Sequence, residues 1–122
     1  SLCFPISAEA ANWVKVATGD RGDSHYVDSE SIVKNSSEIM EAWVKYQYGK
    51  PQCGSNLPKC VSYIVTYLKF FPNKTYCTEE FTAYHTDKTT HSIKENCTLV
   101  SRVVPDSVVD AVRVYVSNFE KK

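Results

Sequence analysis

The sequence predicts an α+β domain: an antiparallel β-sheet of about six strands, braced by disulfides, with a C-terminal α-helix packed on it. Three observations lead there. Before Pro105, apolar residues alternate with polar ones in short runs separated by turn residues, the period-two signature of half-buried strands. Cys53, Cys60, Cys77 and Cys97 are spaced to bridge neighbouring strands. After Pro105 the apolar period lengthens to that of a helix.

The first strand is Asn12 to Ala17, which breaks at the turn-forming run Thr18 to Ser24 and should close a hairpin with His25 to Asp28. Ile39 to Tyr48 is a longer strand. Met40, Ala42, Val44, Tyr46 and Tyr48 share one of its faces, while Ile39 and Trp43 point the other way, which implies a sheet covered on both sides at least locally. If Cys77 and Cys97 oppose each other in an antiparallel pair, Phe81 falls opposite Ile93 on the same face and the turn falls near Asp87 and Lys88. The same test on Cys53 and Cys60 sets Trp43 opposite Phe70, Tyr46 opposite Tyr67 and Tyr48 opposite Val65. Bridges 53 to 60 and 77 to 97 are therefore favoured, among three connectivities open to four cysteines. Pro105 stops the last strand and Ser107 offers an N-cap. Val108, Val109, Ala111, Val112, Tyr115, Val116 and Phe119 then recur at helical spacing. Lys121 and Lys122 suit the negative end of the helix dipole.

Composition narrows the function classes. Fourteen basic residues balance fourteen acidic ones and are scattered, so the electrostatic footprint of a nucleic acid partner is missing. No apolar run approaches the roughly 20 residues of a membrane span. The cysteines lack the C-x-x-C spacing of a zinc site, so no metal and no cofactor is expected. Two bridges in a chain of 122 residues point instead to an oxidising compartment, hence to export into the periplasm, onto the cell surface or outside the cell. Residues 1–11 form an N-terminal arm, in which Leu2 to Ala10 looks like the end of a signal peptide. Residues 12–122 form a single domain.

The succession Trp13-Val14-Lys15-Val16, then Tyr26-Val27-Asp28 with Ser29-Glu30-Ser31-Ile32, then Ala42-Trp43-Val44-Lys45, then Val104-Pro105-Asp106-Ser107-Val108, resembles the bacterial surface-adhesin protein E family. The resemblance runs over about residues 12 to 117. It implies an antiparallel sheet with a C-terminal helix, export to the bacterial surface, and adhesion to host or matrix proteins.

No G-x-S-x-G turn, H-E-x-x-H or phosphate-cradling glycine loop occurs, so no catalytic residue is assigned and an enzyme or enzyme inhibitor ranks last. His85 and His91 could meet across the predicted hairpin with Glu79 and Glu80 nearby, but solvent-facing polar residues are the simpler reading. Arg21-Gly22-Asp23 is a tripeptide read by many integrins, set in a turn that favours Gly and Asp in any case. Three sequons begin at Asn35, Asn73 and Asn96. Eight tyrosines and two tryptophans could form a binding surface or simply pair across strands. Cys3 is the odd cysteine, and Leu2, Phe4 and Ile6 alternate beside it. Together they suggest an arm that adds to a neighbour's sheet edge and joins copies into a homo-oligomer or filament, with Cys3 a candidate intersubunit bridge. A protein-binding module is thus the first expectation and a self-assembling subunit the second.

Overall fold

The computed structural model describes residues 11–54 and 59–120. Leu2, Cys3, Phe4 and Ile6, on which the assembly expectation rests, lie outside the described residues, as do Lys121 and Lys122. Among the described residues, eight strands form one antiparallel sheet: β1 (Trp13–Thr18), β2 (Ser24–Asp28), β3 (Val33–Lys34), β4 (Met40–Gln52), β5 (Val61–Phe71), β6 (Thr75–His85), β7 (Thr90–Lys94) and β8 (Val100–Arg102). Six make the main path, in the order β1-β2-β4-β5-β6-β7. The short β3 pairs with β4, and β8 pairs with β6. Helix α1 (Val108–Asn118) lies on one face, packed over β1, β2 and β4. This is the predicted α+β architecture with its C-terminal helix and disulfides.

The core lies between α1 and that half of the sheet. Val112 and Val116 of α1 meet Val27, Ala42, Val44, Leu68 and Phe70, with Ile32 and Val103 at the margins. Valine is a poor helix former, so α1 gains its stability mainly from this burial. Its ends are satisfied. Ser107 Oγ accepts from the Asp110 amide at 3.1 Å, and Asp110 accepts from the Asp106 amide at 3.0 Å. At the other end Lys34 Nζ donates to the carbonyls of Ser117 and Phe119 at 2.7 and 2.8 Å, placing a cation where the helix dipole is negative.

The bridges join Cys53 to Cys60 and Cys77 to Cys97. Phe81 faces Ile93 and the β6–β7 turn is closed by the His85 amide on the Thr89 carbonyl, as expected. The β4–β5 register differs from the expectation by three residues: Trp43 faces Tyr67, Tyr46 faces Ile64, and Phe70 faces Met40. Gln52 and Val61, beside the bridge, do pair in the register that the cysteines demand. Between Gln47 and Gln52, however, β4 carries three more residues than the opposing stretch of β5. An odd slip moves side chains to the other face. Phe70 is therefore buried under α1, and Trp43 stands on the opposite, open face.

Candidate functional site

Residues of the first three resembling motifs meet on that open face. In β1, β2 and β4, the residues that alternate with the core positions Val27, Ala42 and Val44 are Trp13, Tyr26, Trp43 and Lys45. β5 and β6 add Tyr63, Tyr67 and Tyr84. All are half-buried. Trp43 meets Tyr67 edge to face at 5.0 Å, and Tyr63 stacks on Tyr84 at 4.4 Å. The Lys45 ammonium sits over three rings, Trp13 at 5.1 Å, Tyr26 at 5.0 Å and Tyr63 at 5.5 Å. Each such contact is attractive because the ring face is electron-rich. Burial and the neighbouring Glu41 carboxylate push the Tyr67 phenol up to about 12, so it stays a neutral hydrogen-bonding group.

The Asp28 and Ser29 pair of the second motif has a different role. Asp28 Oδ1 accepts from the amides of Asn12 and Glu30, Ser29 Oγ accepts from the Asn12 side chain, and Ser31 Oγ accepts from the Trp43 amide. This polar knot fixes where the chain enters β1 and how β2 leads into β4.

Arg21-Gly22-Asp23 lies in the β1–β2 turn, with Arg21 and Gly22 exposed and Gly22 at a φ of 79°, which suits glycine. Both oxygens of Asp23 are used within the chain, accepting from the Tyr46 hydroxyl at 2.9 Å and the Gly49 amide at 2.8 Å. Those bonds hold its carboxyl below the usual range, and burial, joined by the bond to Asp23, pushes the Tyr46 phenol up to about 12. Gly49 passes so close that an added Cβ would strike the Arg21 carbonyl. His25, buried beside this turn with its ring at 4.2 Å from Tyr46, is held below its ordinary pKa by burial, with Asp23 opposing the shift. The turn and the start of α1 border a cleft of about 800 Å³.

A second hollow, of about 540 Å³, lies on the helix face beyond the reach of α1. Tyr48, Val61, Ile64, Phe81 and Ala83 line it, with His85 and His91 at its rim. The two histidines thus border one groove. Glu80 instead faces Lys94 across the ladder, on the open face, and Glu79 lies 4.0 Å from Lys69. His85 Nδ1 is 3.1 Å from the Thr89 carbonyl, and Asp87 pairs with Lys59 at 2.9 Å, both serving the turn. Asn35 and Asn73 likewise accept local turn bonds, and Asn96 adjoins bridged Cys97. Among the described residues no group of His, Cys, Asp or Glu is arranged to hold a metal, and no helix is long and apolar enough to cross a membrane.

The aromatic and lysine cluster was only half legible in the sequence. Alternation assigned each residue a face, but the grouping of Trp13, Tyr26 and Tyr63 around Lys45 needs the β1–β2–β4–β5 order. Comparison with known proteins finds no matching family model, curated protein or solved structure.

Proposed function

We propose that this domain is an exported, non-catalytic protein-binding module of the surface-adhesin E type, and that the open face of the sheet is its recognition surface. The observation that carries the reading is the cluster of half-exposed Trp and Tyr side chains around Lys45. Tyrosine and tryptophan offer large contact area with little rotamer entropy to lose, and they are enriched at protein interfaces. A lysine seated among rings adds a charge that a partner's carboxylate can meet in a partly desolvated setting. The first three of the four motifs that resemble the adhesin family supply residues of this face and its anchoring knot, which supports the same reading. The two bridges suit an oxidising compartment. The partner class is an extracellular host or matrix protein.

The test is binding to immobilised fibronectin, laminin and collagen. Lys45→Glu and Trp43→Ser, both on the open face, are expected to weaken binding at least tenfold in chains that keep a parent-like circular dichroism spectrum, with the melting temperature lowered by the lost ring contacts. Failure to bind any of the three, or binding indifferent to both substitutions, contradicts the reading. Asp23→Asn serves as a control, since its carboxylate is committed to Tyr46 and Gly49.

A further inference from the structure

The cleft of about 800 Å³ between the β1–β2 turn and the start of α1 contains a side chain that the fold leaves without a polar partner. His25 stands on the helix face of β2, two residues before the core position Val27, and is only 2% exposed. Buried polar side chains are ordinarily hydrogen-bonded. Among the described residues His25 neither donates nor accepts a side-chain hydrogen bond, and its ring packs on that of Tyr46. None of those residues has an unpartnered side-chain nitrogen or oxygen that is fully enclosed, so the His25 ring nitrogens open outward, onto the cleft that this residue lines. Nε2 lies 3.8 Å from where a Cβ on Gly19 would sit, and Gly19 lines the same cleft.

The walls of the cleft carry both signs of charge. Arg21 and Lys50 are exposed cations and Asp20 is an exposed carboxylate, and none of the three forms an ion pair among the described residues. Asp23 adds a second carboxylate, whose oxygens already accept from Tyr46 and Gly49. Two cations against two carboxylates give the lining no net charge while His25 is neutral, the form that burial favours. A lone anion or a lone cation would leave a charge uncompensated at a partly enclosed site, whereas a ligand bearing both signs keeps the balance. Val108 and Val109, in the first turn of α1, supply an apolar wall.

We propose that this cleft binds a free α-amino acid with an apolar side chain. Such a molecule carries its carboxylate and its ammonium on neighbouring carbons, so one cleft can hold both. Arg21 and Lys50 meet the carboxylate, Asp20 meets the ammonium, and the hydrocarbon lies along Val108 and Val109. A neutral imidazole has one N–H donor and one acceptor nitrogen, so His25 can bond either charged group of the ligand at the base of the cleft. Hydrogen bonds to ionised groups are the strong ones. The ligand thus supplies the partner that the fold withholds from His25.

Proton NMR of the full chain, titrated with L-leucine at millimolar concentrations, tests this. The chain has three histidines, and His85 and His91 border the other hollow, so their signals serve as internal standards and are assigned through His85→Gln and His91→Gln. Leucine is expected to shift the His25 Cε1 proton saturably and to leave the other two in place. Two half-ligands separate the charges: 4-methylpentanoate, which lacks the amine, and 3-methylbutylamine, which lacks the carboxylate. Each is expected to bind at least tenfold more weakly than leucine. Asp20→Asn should abolish leucine's advantage over 4-methylpentanoate, and the double variant Arg21→Gln, Lys50→Gln its advantage over 3-methylbutylamine. These three side chains are exposed, so the variants should keep a parent-like circular dichroism spectrum. A His25 signal unmoved by leucine, a half-ligand that binds as well as leucine, or an advantage that survives its charge variant in a folded chain would each overturn the proposal. The cleft lies on the helix face and the Lys45 cluster on the open one, so the two proposals fail independently.

Discussion

At the residue scale, the β1–β2 turn shows how a motif can be legible while its role is not. Arg21-Gly22-Asp23 stands out in the sequence, yet what Asp23 does is decided by Tyr46 and Gly49, which arrive from β4 more than twenty residues later. Gly49→Ala should cost about 1–3 kcal/mol by chemical denaturation, because the new methyl must displace a backbone carbonyl rather than a flexible side chain. His25 makes a second residue-scale prediction. Its folded pKa lies below the ordinary 6.5 because burial penalises the imidazolium. The unfolded chain therefore binds the proton more readily. Stability is full above about 6.5 and falls as the pH drops from there toward the lowered folded value. Melting temperature followed from about pH 7.5 to about pH 5 should decline in the parent, and more shallowly in His25→Gln.

At the element scale, the registers mark where sequence reasoning holds and where it stops. Phe81 could be set opposite Ile93 from two cysteine positions because β6 and β7 are joined by a tight turn with no irregularity between. The same logic misplaced β4 against β5, since the extra residues between Gln47 and Gln52 carry no sequence signal beyond Gly49 and Pro51. Lys34 capping α1 was equally out of reach, because it needs β3 beside the helix end. The bridges should differ in worth. Cys77–Cys97 closes 20 residues and Cys53–Cys60 closes 7, so chain entropy assigns the first about 1 kcal/mol more. Replacing each pair by serine and comparing urea midpoints measures that difference, and burial of Cys77 widens it. Ser107→Ala should cost about 1 kcal/mol through loss of the N-cap.

At the scale of the whole molecule, one helix covers part of one face of a six-stranded path and leaves distinct surfaces. Under α1 lies the core. Beyond it, on the same face, the groove beside β7 is lined by apolar side chains, and the opposite face carries the rings around Lys45. The fold class and the helix were legible from periodicity and cysteine spacing alone. The surfaces were not, because each is assembled by strand order, which local pattern does not encode. The central claim is that the Lys45 face recognises an extracellular protein. The most direct measurement is equilibrium binding of the chain to immobilised fibronectin, laminin and collagen, with and without Lys45→Glu. Binding to at least one of them, weakened tenfold or more by the charge reversal in a chain that keeps a parent-like circular dichroism spectrum, is the predicted result. No binding, or binding untouched by the reversal, would contradict it.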